Sequence, residues 1–300
     1  MSDSMNIFDR RLVRLHRDRA AAGLAAHDFL FREVAERLAD RLDDITRKFP
    51  RALDLGCHGG EVAALLAGRG GVEMLVQCDL SPAMARRAAA NGSPTLAGDE
   101  ELLPFAPQSF DLVISNLSLH WVNDLPGCLL QIRQCLKPDG LFLAAMLGGD
   151  TLIELRQALT EAELAETGGA GPRVSPFADL RDAGGLLQRA GFALPVVDGE
   201  RVTATYPDVL GLTRDLRGMG ETNAVQARDR RFVRRMLFAR AEELYRRRWG
   251  QRDGRLPASF QIITMTAWAP HASQQQALSP GSARTRLSDA LDIDDGRQRR

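Results

Sequence analysis

The chain has 300 residues, enough to bury the core of one large α/β domain without disulfide or metal staples. Its 39 Lys+Arg balance 39 Asp+Glu, so no overall field draws nucleic acid or an anionic membrane, and any such partner would need a local patch. The four cysteines, Cys57, Cys78, Cys128 and Cys135, form no C-x-x-C pair, which fits reduced thiols better than a disulfide framework and argues against a structural zinc.

The N-terminal segment MSDSMNIFDRR carries charges where a secretory signal needs an apolar run. No stretch reaches the roughly 18 apolar residues of a membrane span, so the expected location is cytoplasmic. Phe29, Leu30, Val34, Leu38, Leu42 and Ile45 recur at helical spacing before Pro50, which predicts an amphipathic helix lying as a lid over a sheet. From Arg51 short apolar runs (Ala52–Leu55, Val72–Cys78, Leu112–Ser115, Leu141–Leu147) alternate with Ala- and Leu-rich helical stretches, the pattern of parallel strands joined by crossover helices. TGGAGPRVSP at 167–176 is a flexible connection to a helix at Leu180–Ala190, a strand near Val196–Thr205 and a final strand at Phe260–Trp268. Pro207–Gly250 is too long for a hairpin loop and reads as a helical insertion before the last strand. Three segments result: a helical lid at 1–49, an α/β domain at 50–270 with its insertion at about 207–250, and a tail at 271–300 too poor in large apolar residues to order itself.

Asp54-Leu55-Gly56-Cys57-His58-Gly59-Gly60 follows an apolar strand and precedes a helix, the setting of a glycine-rich cofactor loop. The glycines let backbone approach a ligand, and Asp54 can accept from a cationic amine. His58 breaks the G-x-G-x-x-G pattern of a dinucleotide site. The next strand ends at Asp79, 25 residues beyond Asp54, where a carboxylate can bridge ribose hydroxyls. Ser81-Pro82 then reads as a helix cap and first helical position. A third short strand ends in Gly98-Asp99-Glu100, and Asp99 can accept from an adenine amino group.

Three strands in succession ending in such acids, completed by SFDLVISN at 109–116 and LKPDG at 136–140, resemble the class I S-adenosylmethionine-dependent methyltransferases over Leu53 to about Leu147. The resemblance implies a Rossmann-like α/β fold with a seven-stranded sheet, flanking helices and S-adenosylmethionine as cofactor. It puts Asp54 and Gly56 near the methionine portion, Asp79 on the ribose, and Asp99 with Glu100 at the adenine; His58, Gly60, Leu80 and Asn116 complete the expected cofactor set. His58 stands where most members have the middle glycine. Further segments, NIFDR at 6–10, LSLHWVNDLP at 117–126, GGDTL at 148–152 with ELR at 154–156, and GMGE at 218–221, resemble the family of mitochondrial respiratory complex I assembly factors. That family's role is hydroxylation of an arginine on a quinone-module subunit, which implies a protein substrate of that kind. Its fold is that of a methyltransferase and its chemistry an oxidation, so fold does not settle the reaction. A more distant resemblance, chiefly over Tyr206–Gly220, is to the malonyl-carrier-protein methyltransferase of biotin synthesis. A methyltransferase of a small or carrier-bound acid and a non-catalytic S-adenosylmethionine-binding scaffold are the alternatives.

His120 and Trp121 follow the fourth strand at the cleft edge where open α/β sheets bind ligands, and are the candidates for catalysis on the acceptor side. No H-x-D or H-x-E accompanies His58 and His120, so no metal site is expected. Thr151-x-x-Glu154 has capping-box spacing, and Arg156 could meet a substrate carboxylate or an acid of its own helix. Met219-Gly220-Glu221 lies in the insertion, which in this topology would cap the cleft. The arginine-rich stretch Arg228–Arg248 reads as one helix with a solvated basic face, and lacks the interleaved aromatics of a nucleic-acid surface; no nucleic acid is expected.

Overall fold

The computed structural model describes residues 6–66, 68–231, 235–275 and 281–282. Seven strands form: β1 Arg51–Leu55, β2 Met74–Asp79, β3 Thr95–Ala97, β4 Phe110–Asn116, β5 Leu136–Leu147, β6 Ala193–Tyr206 and β7 Leu256–Trp268. Their order in the sheet is β3-β2-β1-β4-β5-β7-β6, and β7 alone runs antiparallel to its neighbours. The expected seven-stranded α/β sheet is therefore present. β1 and β4 are buried on both faces, which is why they read as continuous apolar runs without alternation. Strand order reverses between β1 and β4, so their C-terminal ends open the crevice in which such sheets bind ligands.

Nine helices flank the sheet among the described residues: α1 Arg10–Ala20, α2 Phe29–Asp43, α3 Glu61–Leu65, α4 Pro82–Ala88, α5 Leu125–Cys135, α6 Ile153–Thr167, α7 Leu180–Arg189, α8 Val209–Met219 and α9 Arg235–Trp249. On one face, Leu30, Val34, Leu38 and Leu42 of α2 join Leu155 and Ala162 of α6 and Leu244 and Tyr245 of α9 against Ile114, Leu143 and Phe260 of the sheet. On the other, Leu129 and Ile132 of α5 and Leu187 of α7 cover Leu53, Leu55, Val113 and Met265. The predicted α2 thus forms part of a core layer. Fully burying one such leucine is worth about 1.5–3 kcal/mol, so losing α2 would open the whole face.

Several local expectations change. α1 falls within the 1–49 segment read as helical, though only the helix before Pro50 was delimited there; Asp9 caps it by accepting from the Leu12 N–H, and Val13, Arg17 and Ala20 form its buried stripe. β5 begins at Leu136, five residues before the expected Leu141, and takes in LKPDG. The Thr151/Glu154 capping box does not form: Leu152 takes the cap position at φ +52°, Thr151 Oγ1 bonds backbone of Gln261, and Glu154 accepts from the N–H and hydroxyl of Ser259. The pull of β7 outcompetes the local cap. Ser81 caps α4 as expected, accepting from the Met84 N–H, with Pro82 at the first turn. The basic helix begins at Arg235 among the described residues, whereas Arg228, Arg230 and Arg231 precede it in turn and coil; residues 232–234 lie outside the described residues. Residues 271–300 form a second unit, of which only 271–275 and 281–282 are described, so the disordered-tail expectation falls largely outside them. No described helix is long and apolar enough to cross a membrane.

Candidate functional site

The loop after β1 turns through Gly56 at φ +73°, His58 at φ +46° and Gly60 at φ +90°. A Cβ on Gly56 would lie 2.2 Å from Cβ and Oγ of Ser118, so only glycine lets the β1 and β4 loops approach this closely. His58 takes the left-handed conformation that a glycine would adopt freely, at a cost of about 1–3 kcal/mol. Its neighbours hold it there. The His58 N–H donates to Asp79 Oδ2 at 3.0 Å, and Nε2 lies 3.1 and 3.2 Å from the carbonyls of Asn116 and Leu117. Carbonyls only accept, so Nε2 carries the proton. Phe31 of α2 stacks on the imidazole at 4.2 Å, and burial followed by the nearby Arg17 charge pushes the ring's pKa down to about 3. His58 is therefore a neutral structural imidazole closing the loop, not one aimed at solvent.

Asp54 is fully buried, and neither carboxylate oxygen has a hydrogen-bond partner. Burial first, then Glu61 and Asp79, raise its pKa well above the ordinary range. A cation placed beside it would relieve both deficits, as an ammonium group of a ligand can. Asn116 Nδ2 donates to the Phe31 carbonyl at 2.8 Å, while its Oδ1 is buried without a partner. These unspent acceptors and the Gly56 approach fit the methionine end of S-adenosylmethionine.

The ends of β2 and β3 meet residues that the sequence reading missed. Arg17 of α1 is fully buried, with Nη1 3.6 Å from Asp79 and 3.3 Å from Glu100, and Nη2 donating to Ser118 Oγ at 3.0 Å. Ser118 in turn donates to Glu100 at 2.7 Å. Arg10 pairs with Asp99 at 2.5 Å and also with Glu100. Burial opposes ionisation of Glu100, but the Arg10 and Arg17 charges outweigh it and hold the carboxylate at about 2. Asp79 is pushed up to about 6 by burial, which Arg17 only partly offsets. The structure thus brings Asp54, Gly56, His58, Asp79, Glu100 and Asn116 together and seats an α1 guanidinium among them. Leu80 packs beside Phe8, Val13 and Trp121, and Asp99 lies at the rim under Arg10. The signal available for α1 was Asp9 followed by Val13, Arg17 and Ala20 at helical spacing, a stripe in which a charged residue stands among apolar ones.

On the acceptor side, His120 and Trp121 form a short 3-10 turn after β4. Both are buried and both meet Glu221, the residue after the C-terminal glycine cap of α8. His120 Nε2 lies 2.9 Å and Trp121 Nε1 2.8 Å from the same oxygen, Oε2, while Oε1 and His120 Nδ1 are buried without partners. Burial resists the charge on Glu221, yet His120 and Arg17 hold its pKa below the usual carboxylate value. Phe177 stands edge-on to His120 at 5.6 Å. Next to that segment, Arg156, Thr160, Arg173, Val174 and Val225 border a cavity of about 290 Å³. Arg156 donates to the Thr151 carbonyl at 3.1 Å, not to an acid of its helix.

A methyltransferase-domain family profile matches residues 53–144. The chain is 44% identical to "Arginine-hydroxylase NDUFAF5, mitochondrial" of Danio rerio, over 96% of this chain and 91% of that protein. It is 38% identical to the malonyl-[acyl-carrier protein] O-methyltransferase of Laribacter hongkongensis, over 91% and 94%. In fold it is similar to phosphoethanolamine N-methyltransferase 2 of Haemonchus contortus in complex with S-adenosyl-L-methionine, at a TM-score of 0.54 and 17% identity, covering 86% of this chain and 60% of that one. The arginine-hydroxylase relatives of three vertebrates are mitochondrial, which overturns the cytoplasmic location expected from the sequence. That expectation rested on the lack of an apolar secretory run, and mitochondrial import does not use one. The chain belongs to the family of these arginine-hydroxylases, built on the class I S-adenosylmethionine-dependent methyltransferase fold.

Proposed function

We propose that the chain binds S-adenosylmethionine at the β1 loop and hydroxylates an arginine side chain of a protein partner, a quinone-module subunit of respiratory complex I. The observation that carries this reading is Glu221. Its buried, ionised carboxylate stands beside His120 and Trp121 with Oε1 unpartnered, which suits the cationic guanidinium of an arginine. Asp54, Gly56, Asp79, Leu80, Asp99, Glu100 and Asn116 would hold the cofactor on the loop that His58 and Gly60 shape; bound there it would supply a sulfonium methyl group but no oxygen, so hydroxylation would take its oxygen atom from dioxygen with an external two-electron reductant. Arg17 neutralises Asp79 and Glu100 while linking them to the α1 layer. His120 would handle the acceptor's proton and Trp121 would wall the pocket.

Mass spectrometry of the partner subunit from cells with and without the chain tests the reading. The expected result is one arginine heavier by a single oxygen atom, only when the chain is present. A gain of one CH2 would move the assignment to methyl transfer, and an unmodified arginine with normal assembly would leave a scaffold role. A second reading is methylation of a carrier-bound acid. Arg156 and Arg173, lining the cavity of about 290 Å³, favour it because they could meet a carboxylate. Formation of a methyl ester on malonyl-carrier protein by the purified chain checks that alternative.

A further inference from the structure

We infer that Glu221 is the positioning residue of His120: it fixes the imidazole as the Nε2–H tautomer and leaves Nδ1 as the nitrogen that takes a proton from the acceptor. The inference rests on the acceptor-side role proposed for His120, and its geometry is independent of which group is transferred.

Oε2 of Glu221 faces two ring nitrogens at once. The indole Nε1 of Trp121 is a donor only, so its 2.8 Å contact makes Oε2 an acceptor. Nε2 of His120 shares that oxygen at 2.9 Å and must donate to it as well, since a lone pair there would face a carboxylate lone pair. Whenever the ring is neutral, its proton therefore sits on Nε2 and its lone pair on Nδ1. Nδ1 is buried with no partner, the condition of a basic nitrogen awaiting a donor from a ligand. Phe177 edge-on at 5.6 Å and Trp121 at 5.4 Å limit rotation of the ring, and Phe8 braces Trp121 at 5.2 Å.

The fold delivers Glu221 with little freedom. α8 ends at Gly220, φ +82°, and the Glu221 N–H closes the turn on the Leu216 carbonyl at 2.8 Å. A Cβ on Gly220 would lie 3.2 Å from Cα of Arg17, so the end of α8 is pressed against α1. In the step this arrangement serves, the acceptor's N–H or O–H bond breaks, the proton joins the Nδ1 lone pair, and the acceptor keeps the electron pair. The resulting imidazolium is balanced by the Glu221 carboxylate across the ring, the part an orienting acid plays in a histidine-based proton relay.

Nitrogen-15 spectra of the histidine rings in the full chain test this without any substrate, with His120→Gln identifying the His120 signals. The expected result in the wild type is a protonated Nε2 and an unprotonated Nδ1; a ring protonated on Nδ1 alone overturns the inference, whatever any variant does. In Glu221→Gln the tautomers should mix, and with the arginine-bearing partner kcat should fall about 10- to 100-fold, over and above the rise in KM that loss of the Oε1 charge brings. An unchanged tautomer in that variant, or a raised KM at constant kcat, also overturns it. An Nε2-protonated ring in a protein that adds no oxygen to arginine would remove the hydroxylation reading and leave the positioning role standing.

Discussion

The two sides of the cleft are built by opposite means. On the cofactor side, Asp54, Asp79 and Asp99 sit at or just past the ends of consecutive strands, and each is delivered by the short segment around it. On the acceptor side, His120 meets a carboxylate 101 residues away, brought in by the insertion between β6 and β7. Local delivery fixes the backbone of the first side, while Arg10 and Arg17 of α1 supply its counter-charges from a distance. Long-range delivery makes the second depend on how α8 docks against α1.

The largest expected effect falls on the acceptor side. His120→Gln should lower the rate of partner modification by about 10²–10⁴-fold, the usual contribution of a general acid–base group, with cofactor binding retained; mass spectrometry and calorimetry read the two separately. Loss of cofactor binding in this variant would dissolve the division between the sides. Arg17→Met comes next, since Arg17 belongs to both. Removing its charge leaves Asp79 and Glu100 short of a buried counter-ion and should cost about 3–5 kcal/mol in chemical denaturation. A cost below about 1 kcal/mol would mean the α1 contact is peripheral.

Gly56→Ala sharpens the claim for the cofactor side: the added methyl meets Ser118 in a backbone conformation that favours glycine, and about 1–3 kcal/mol of stability should be lost together with cofactor affinity. Glu61 gives the pH arm. Burial lifts its carboxyl from 4.5 to about 7, so the folded state prefers the protonated form. That stability is complete below pH 4.5 and disappears as pH rises through about 7; Glu61→Gln should flatten this part of the Tm-against-pH curve. The smallest effect belongs to the exposed arginines of α9: Arg240→Ala, which removes an i,i+3 pair with Glu243, should change stability by less than about 0.5 kcal/mol.

Legibility followed the same division. The strands and the acids at their ends are visible because apolar runs and strand-end carboxylates lie within a few residues of each other. His120 and Trp121 were marked by position alone, and the structure places them together. Glu221 was visible as a motif without a partner, because no pattern along the chain links residues 120 and 221. Arg17 was hidden for a different reason: a fully buried arginine occurs only where carboxylates await it, and those carboxylates are far away in sequence. Thr151 and Glu154 erred in the other direction, since a good local cap lost to Gln261 and Ser259 of β7.

The insertion leaves the sheet after β6 and returns to it at β7, and those strands pair from Tyr206 with Leu256 back to Ala193 with Trp268. It is clamped at its base by a long antiparallel ribbon and packed onto the core by α9. Its sequence can change while the parallel strands that carry Asp54 and Asp79 keep their register, so one scaffold can host acceptor pockets of different chemistry. Relatives bearing the names of an arginine hydroxylase and a carrier-protein O-methyltransferase, each aligned over more than nine-tenths of its own length, are what such a division of labour produces.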